Sequence, residues 1–195
     1  MVSGGGTNLQ AILDAVDSGI IKSAEIDSVI SNKHGAYALE RASKRGVYNT
    51  VIDKKALGAQ KFEEELSAVL EERGVQLIVL AGFMCILSEN FVKSYPERII
   101  NVHPALIPSF CGKGYYGLKV HEEALKYGVK VTGATVHFVN EIPDGGKIIA
   151  QKAVYVKDDD TPTSLQLRVM QEAEWILLPQ AIESVSKNIL ENTKL

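Results

Sequence analysis

The chain has only two cysteines, Cys85 and Cys111. They match no metal-ligand spacing and give no disulfide framework, which suits a reducing compartment. It has no apolar run approaching the ~18 residues of a membrane span and no basic-then-apolar leader, so neither a span nor a secretion signal is expected. Nor is there an excess of positive charge. The 21 Lys and Arg against 24 Asp and Glu give −3 at pH 7, which leaves no footprint for nucleic acid or an anionic membrane. An anionic ligand must then be held by local donors. These absences point to a cytoplasmic protein that acts on small molecules.

What is present suits one globular domain. At 195 residues with 46% hydrophobic content, the chain is long enough to bury a substantial core. Leu9, Ile12, Leu13 and Val16 recur on one helical face, and Gly19 follows as a stop. Strand patterns at 24–32, 47–53, 75–82 and 98–104 alternate with helical patterns at 38–46, 61–74 and 88–96. In the helix over 61–74, Phe62, Leu66, Val69 and Leu70 face inward. Such alternation predicts an α/β fold, an open and mostly parallel Rossmann-like sheet with helices on both faces. The rhythm changes after Pro104: a loop runs to Gly117, and a helix follows around 120–128. Strands at 130–139 and 147–156 then form an antiparallel hairpin, and a long helix starts at Thr163. No repeat or linker interrupts 1–195.

Three places carry chemistry. SGGGTNLQ at the start is a glycine cluster ahead of a helix, where bare backbone and unpaired N–H groups can cradle a phosphate. It fits neither the lysine-bearing phosphate loop nor GxGxxG, and on this stretch alone an N-terminal tail or a glycine-rich turn is the leading reading. INVHPALIP ends a strand, with Asn101 and His103 on the same side by alternation and Pro104 releasing the chain. Ligands of open α/β sheets sit at such strand ends, and an amide and an imidazole aimed at one point can stabilise an oxyanion. A merely hydrogen-bonded histidine is the competing reading. EIPDGGKII places Asp144 at a hairpin tip, where it serves either as a carboxylate partner for the histidine or as ordinary turn chemistry.

Together SGGGTNLQ, LAGFMCILS, NVHPALIPSF, GATVHFV and PDGGKIIAQ, in this order, resemble the phosphoribosylglycinamide formyltransferases, members of the 10-formyltetrahydrofolate-dependent formyltransferase family. The resemblance covers essentially the whole chain. It implies formyl transfer from 10-formyltetrahydrofolate, a cosubstrate, to the amine of glycinamide ribonucleotide in purine biosynthesis, with no metal. The enzyme is expected as a monomer or homodimer. By the same resemblance Asn101, His103 and Asp144 are catalytic. Asn101 and a protonated His103 would stabilise the oxyanion, while Asp144 keeps His103 charged and helps move the amine's proton. Gly6, Thr7 and Asn8 would bind the phosphate and Glu174 the ribose hydroxyls. Met84, Cys85, Ile86, Leu87, Leu118, Val139, Asn140, Glu141, Ile142 and Pro143 would line the folate pocket. Residues 1–104 form the expected nucleotide-binding half, and 105–195 the folate-binding and C-terminal helix half.

Four departures accompany the resemblance. Cys85 stands where a basic residue is common in relatives. The helix beginning KFEEEL lacks the arginine that some relatives use to reach the phosphate, and Lys61 is not assigned that role. SFCGKGYYG (109–117) is longer than the usual connection and is read as a surface loop that can also act as a lid. Only Met1 and Val2 precede the glycine loop, whereas relatives carry a longer apolar strand there. A natural start upstream of Met1 is therefore expected, with a neighbouring chain or a rearranged sheet as the alternative. His121 and His137 are read as structural, His137 because it faces opposite Val136 and Phe138. The rival functions are a formyltetrahydrofolate deformylase-like hydrolase, a methionyl-tRNA formyltransferase and a non-catalytic nucleotide-binding relic. The first two typically carry a further domain for which this length leaves no room.

Overall fold

The computed structural model describes residues 1–192. The order of elements is α1 (Thr7–Asp17), β1 (Ser28–Ser31), α2 (Tyr37–Lys44), β2 (Tyr48–Val51), α3 (Lys54–Glu72), β3 (Ile78–Leu80), α4 (Glu89–Ser94), β4 (Ile99–His103), α5 (Leu118–Tyr127), β5 (Val131–Phe138), β6 (Ile148–Tyr155), α6 (Pro162–Val169), a π-helical turn (Met170–Glu174) and α7 (Trp175–Asn192). The fold is the expected α/β one. β1 pairs with β2 and β3 with β4 in parallel, while β5 runs antiparallel to both β4 and β6.

The helices start where short polar side chains satisfy the free N–H groups of a first turn. Asp53 accepts from the amides of Lys55 and Ala56 at α3, and Ser88 accepts from Phe91 at α4. Thr161 and Ser164 cap α6 reciprocally. α3 begins at Lys54, earlier than the periodicity predicts, because a short capped turn leads into it across Gly58, whose φ of 78° breaks the helix. Two apolar clusters cover the two faces of the sheet. Leu9, Ile12, Val102, Val136, Leu178 and Ile182 gather on one, and Phe62, Leu66, Leu80, Phe91 and Ile99 on the other. Among the described residues no helix is long and apolar enough to cross a membrane.

The sheet is pinched where the chain starts. The Val2 amide donates to the Ile30 carbonyl at 2.9 Å, and the Ala81 amide donates to the Met1 carbonyl at 2.9 Å. Met1 and Val2 thus form a stub of strand between β1 and β3. Beyond the stub lies an open cleft of about 360 Å³, with Met1, Ile26, Val29, Leu77 and Val79 in its walls. The Met1 ammonium donates to the Val79 carbonyl at 2.6 Å. Enclosure there pulls its pKa from 8.0 to about 5, since burial disfavours the charged form.

Candidate active site

β4 lies between β3 and β5, both of its faces covered, and its carboxyl end delivers Asn101 and His103 to one side. His103 is 4% exposed. The loop after it is pinned by the buried Thr135 hydroxyl, which donates to the Ala105 carbonyl at 2.7 Å and accepts from the Ile107 amide at 3.1 Å. Asp144 arrives from the β5–β6 connection with φ of 56°, a left-handed conformation that aspartate tolerates better than most residues. Gly146 makes the approach possible, because a Cβ there would lie 1.7 Å from the Phe138 carbonyl oxygen.

The three predicted catalytic residues come together. Asp144 Oδ2 lies 3.6 Å from His103 Nδ1, and its Oδ1 lies 3.6 Å from His137 Nε2. His137 thus stands in the same cluster, in contact with two of the predicted residues. In the antiparallel register it stands directly opposite Asn101. Its Nδ1 is 2.8 Å from the Phe138 carbonyl, and its Nε2 is 3.2 Å from Asn101 Nδ2. With Nδ1–H donating to the carbonyl, Nε2 accepts from the Asn101 amide.

The charge state of His103 differs from the sequence-based expectation. Burial lowers its pKa below the ordinary value of 6.5, outweighing the attraction of Asp144 and the hydrogen bond to Phe110, with His137 lowering it further. Near pH 7 His103 is thus neutral in this conformation. Burial pushes the Asp144 carboxyl up, but His137, His103 and the Gly112 amide together bring it below the ordinary carboxylate value. His121 is fully buried nearby with neither ring nitrogen partnered. Burial, then the neighbouring His103, lowers its pKa to about 4.

The 109–117 loop is a strap over these groups. The Phe110 carbonyl accepts from His103 Nε2 at 2.8 Å, and the Gly112 amide donates to Asp144 Oδ2 at 2.8 Å. Phe110 itself packs against Tyr115 and Tyr127.

The glycine loop lies at the start of α1, as predicted. Gly6 caps the helix at φ 71°, and a Cβ on it would lie 2.6 Å from the Ala38 Cβ, so close packing as well as conformation demands glycine there. The Ser3 hydroxyl donates to Asn32 Oδ1 at 2.6 Å and accepts from the Met84 amide at 2.8 Å, tying the loop to the 84–87 segment. Thr7 is exposed, whereas Asn8 is buried and donates through Nδ2 to Glu174 Oε2 at 2.8 Å. Glu174 ends the π-helical turn and is 6% exposed. The wider turn changes the phase of the helix and brings a carboxylate onto the glycine loop. Burial raises the Glu174 pKa, against the lowering effect of the Asn8 hydrogen bond.

An amide, two imidazoles and a carboxylate thus gather at the end of β4, and the glycine loop opens α1. Residues 1–182 match the family described as formyl transferase. The chain belongs to that family. It is 44% identical over 192 residues to the trifunctional purine biosynthetic protein adenosine-3 of Gallus gallus, an alignment that covers 98% of this chain but 18% of that much longer protein. It is 38% identical over 184 residues to the phosphoribosylglycinamide formyltransferase of Haemophilus influenzae, covering 94% of this chain and 84% of the relative. The crystal structure of glycinamide ribonucleotide transformylase 1 from Symbiobacterium toebii matches with a TM-score of 0.88 at 40% identity, covering 96% of this chain and 85% of the other.

The residues expected at the folate pocket divide by burial. Met84 is 57% exposed, Ile86 69%, Ile142 59% and Leu118 38%. These four large apolar side chains are left in water, a feature often found where a ligand or partner binds. Gly117, at the end of the strap, comes close to the Met84 thioether methyl. Leu87 is buried and Val139 half-buried, and both pack in the core. Glu141 and Pro143 are exposed and Asn140 half-buried, with Asn140 Oδ1 accepting from the Ile142 amide at 3.0 Å. Cys85 brings no charge, but Lys54 does. Its ammonium donates to the Ile86 carbonyl at 2.8 Å and lies over the Phe62 ring. Sequence reasoning passed over Lys54 because nothing local links it to residues 84–87.

Proposed function

We propose that this chain transfers the formyl group of 10-formyltetrahydrofolate to the amine of glycinamide ribonucleotide, a step of purine biosynthesis. The observation that carries the reading is the convergence of Asn101, His103, His137 and Asp144 at the carboxyl end of β4. When the amine attacks the formyl carbon, charge gathers on the formyl oxygen. Asn101 has a second amide hydrogen beyond the one shared with His137 and can donate it to that oxygen. His103, released by Phe110, offers a neutral Nε2–H to the same oxygen, so no imidazolium is needed. Donors held in place before the reaction stabilise developing charge with little reorganisation. Asp144, ionised between two imidazoles, accepts the proton that the amine loses and passes it, through water, to the departing folate nitrogen. A bond forms from the amine to the formyl carbon, the bond to the folate nitrogen breaks, and one proton changes place.

The exposed side chains of Met84, Ile86, Leu118 and Ile142 suit the flat apolar face of a pterin, and the glycine loop with Glu174 suits a ribose phosphate. Incubating the purified protein with both substrates tests the reading: formylated ribonucleotide is the expected product. Release of free formate assigns a hydrolase instead, and no turnover at all assigns a nucleotide-binding relic.

A further inference from the structure

The glycine loop carries a cation that the reaction described above does not use. Arg41, on α2, donates from Nε to the Gly5 carbonyl at 2.8 Å and from Nη1 to Gln10 Oε1 at 2.9 Å. Its guanidinium lies 5.0 Å from the centre of the Tyr37 ring. We propose that Arg41 is the cation that holds the substrate's phosphate at the glycine loop. The proposal rests on reading this loop as a ribonucleotide phosphate site and adds the residue that supplies its positive charge.

Charge pairing sets Arg41 apart from three of the other four arginines; Arg98, which donates to the Gln76 carbonyl, lies away from the glycine loop's contacts. Arg45, one turn further along α2, pairs with Asp14 and Asp17, Arg73 pairs with Asp27, and Arg168 pairs with Asp160. Among the described residues no carboxylate pairs with Arg41. Its two hydrogen bonds go to neutral oxygens, so the full charge and the rest of the guanidinium fork are left for an anion. The bond to Gly5 fixes that charge against the loop itself. The loop is built to be approached: Cβ atoms added at Gly4 or Gly5 would meet nothing within 4 Å. The α1 N-terminus beside it has no side-chain cap and no acidic residue in its first turn. Its positive dipole end is therefore also uncompensated.

A second, independent observation points to a ligand. Asn8, 8% exposed, has its Oδ1 buried without a partner, an arrangement that costs free energy until a donor arrives. Asn8 already holds the Glu174 carboxylate through Nδ2. A ligand with a phosphate at Arg41 and a hydroxyl at Asn8 and Glu174 satisfies both ends, and a sugar phosphate has that chemistry.

Ribose 5-phosphate is the probe, titrated calorimetrically into the wild type, Arg41→Gln and Arg41→Lys. Loss of a charge-assisted hydrogen bond weakens binding by about 10- to 100-fold in Arg41→Gln. Arg41→Lys recovers part of the loss, and the gap between wild type and Arg41→Gln narrows as salt is raised. Glycinamide riboside, which has no phosphate, reacts with the same kcat/KM in the wild type and Arg41→Gln. Equal ribose 5-phosphate binding by the two proteins overturns the proposal. So does a defect as large with the riboside as with the ribonucleotide, since Arg41 would then only support the loop. Calorimetry does not depend on turnover. Arg41-dependent binding in a protein that transfers no formyl group would support this proposal while counting against the reaction.

Discussion

His103 Nε2 lies 2.8 Å from the carbonyl oxygen of Phe110, so the donor that the proposed reaction would use is held by the protein's own backbone. The Gly112 amide holds Asp144 in the same way. If His103 serves the formyl oxygen as proposed above, the strap competes for the same donor, so binding of the formyl donor displaces it and the apparent affinity is scaled by the fraction of molecules in which the strap is open.

Loosening the strap should therefore help the donor bind. Phe110→Ala removes the ring that packs on Tyr115 and Tyr127. A non-reactive folate analogue should bind about 2- to 10-fold more tightly to it, through a larger open fraction. Amide hydrogen exchange gives the parallel readout. The Gly112 amide is protected in the free protein and exchanges faster once the analogue is bound. Unchanged affinity and unchanged Gly112 exchange would show that the strap stays in place during binding.

His121 should make the protein acid-sensitive. Its folded pKa is about 4 against an ordinary 6.5, so the unfolded chain takes up the proton first. Stability is then full above pH 6.5 and is lost as pH falls towards 4. Between pH 7.5 and pH 5 the single group accounts for about 2 kcal/mol. Urea denaturation at the two pH values checks this: His121→Leu should lose about 2 kcal/mol less than the wild type on acidification. His103, whose pKa is also lowered, acts in the same direction and leaves part of the acid sensitivity in place.

Gly6→Ala should damage both the loop and its ligand. The substitution forces a Cβ into the left-handed region at φ 71° and within 2.6 Å of the Ala38 Cβ. The expected cost is about 2 kcal/mol or more in stability, measured by denaturation, with weaker ribose 5-phosphate binding by calorimetry. Gly4→Ala has open space around it and should be far milder.

The stub at Met1 and Val2 makes a prediction of its own. An extended apolar segment engineered ahead of Met1 should continue the strand between β1 and β3. It would also replace the enclosed amine, whose pKa is about 5, by a peptide N–H. The lowered amine pKa means that stability is lost as pH falls from 8 towards 5. The extended protein should melt higher by roughly 5 °C or more, with a larger gain at pH 6 than at pH 8.5. Equal melting temperatures would show that the cleft does not accept a strand.

Much of this was legible in the sequence because it is local. Alternation along one strand placed Asn101 and His103 together, and the strand patterns alternating with helical ones announced a mostly parallel sheet. The glycine cluster marked the start of α1. What stayed hidden depends on pairings between distant segments. His137 looks structural on its own strand, and only the β4–β5 register sets it opposite Asn101. The neutral state of His103 follows from burial that no neighbouring residue reveals. The strap's hold on His103 and Asp144 is a backbone contact without a side-chain signature. Glu174 reads as an exposed helical glutamate until the π-helical turn carries it inward. Arg41 is an ordinary helical arginine until the fold leaves it without a carboxylate.

The central claim is that the Asp144-centred constellation performs formyl transfer to glycinamide ribonucleotide, and Asp144→Asn tests it most directly. Steady-state kinetics with both substrates should show the wild type forming formylated ribonucleotide. The variant's kcat should fall by roughly 10²–10³-fold, while calorimetry gives substrate affinities close to those of the wild type. A wild type that yields only formate would contradict the account, and so would a variant that loses binding as much as turnover.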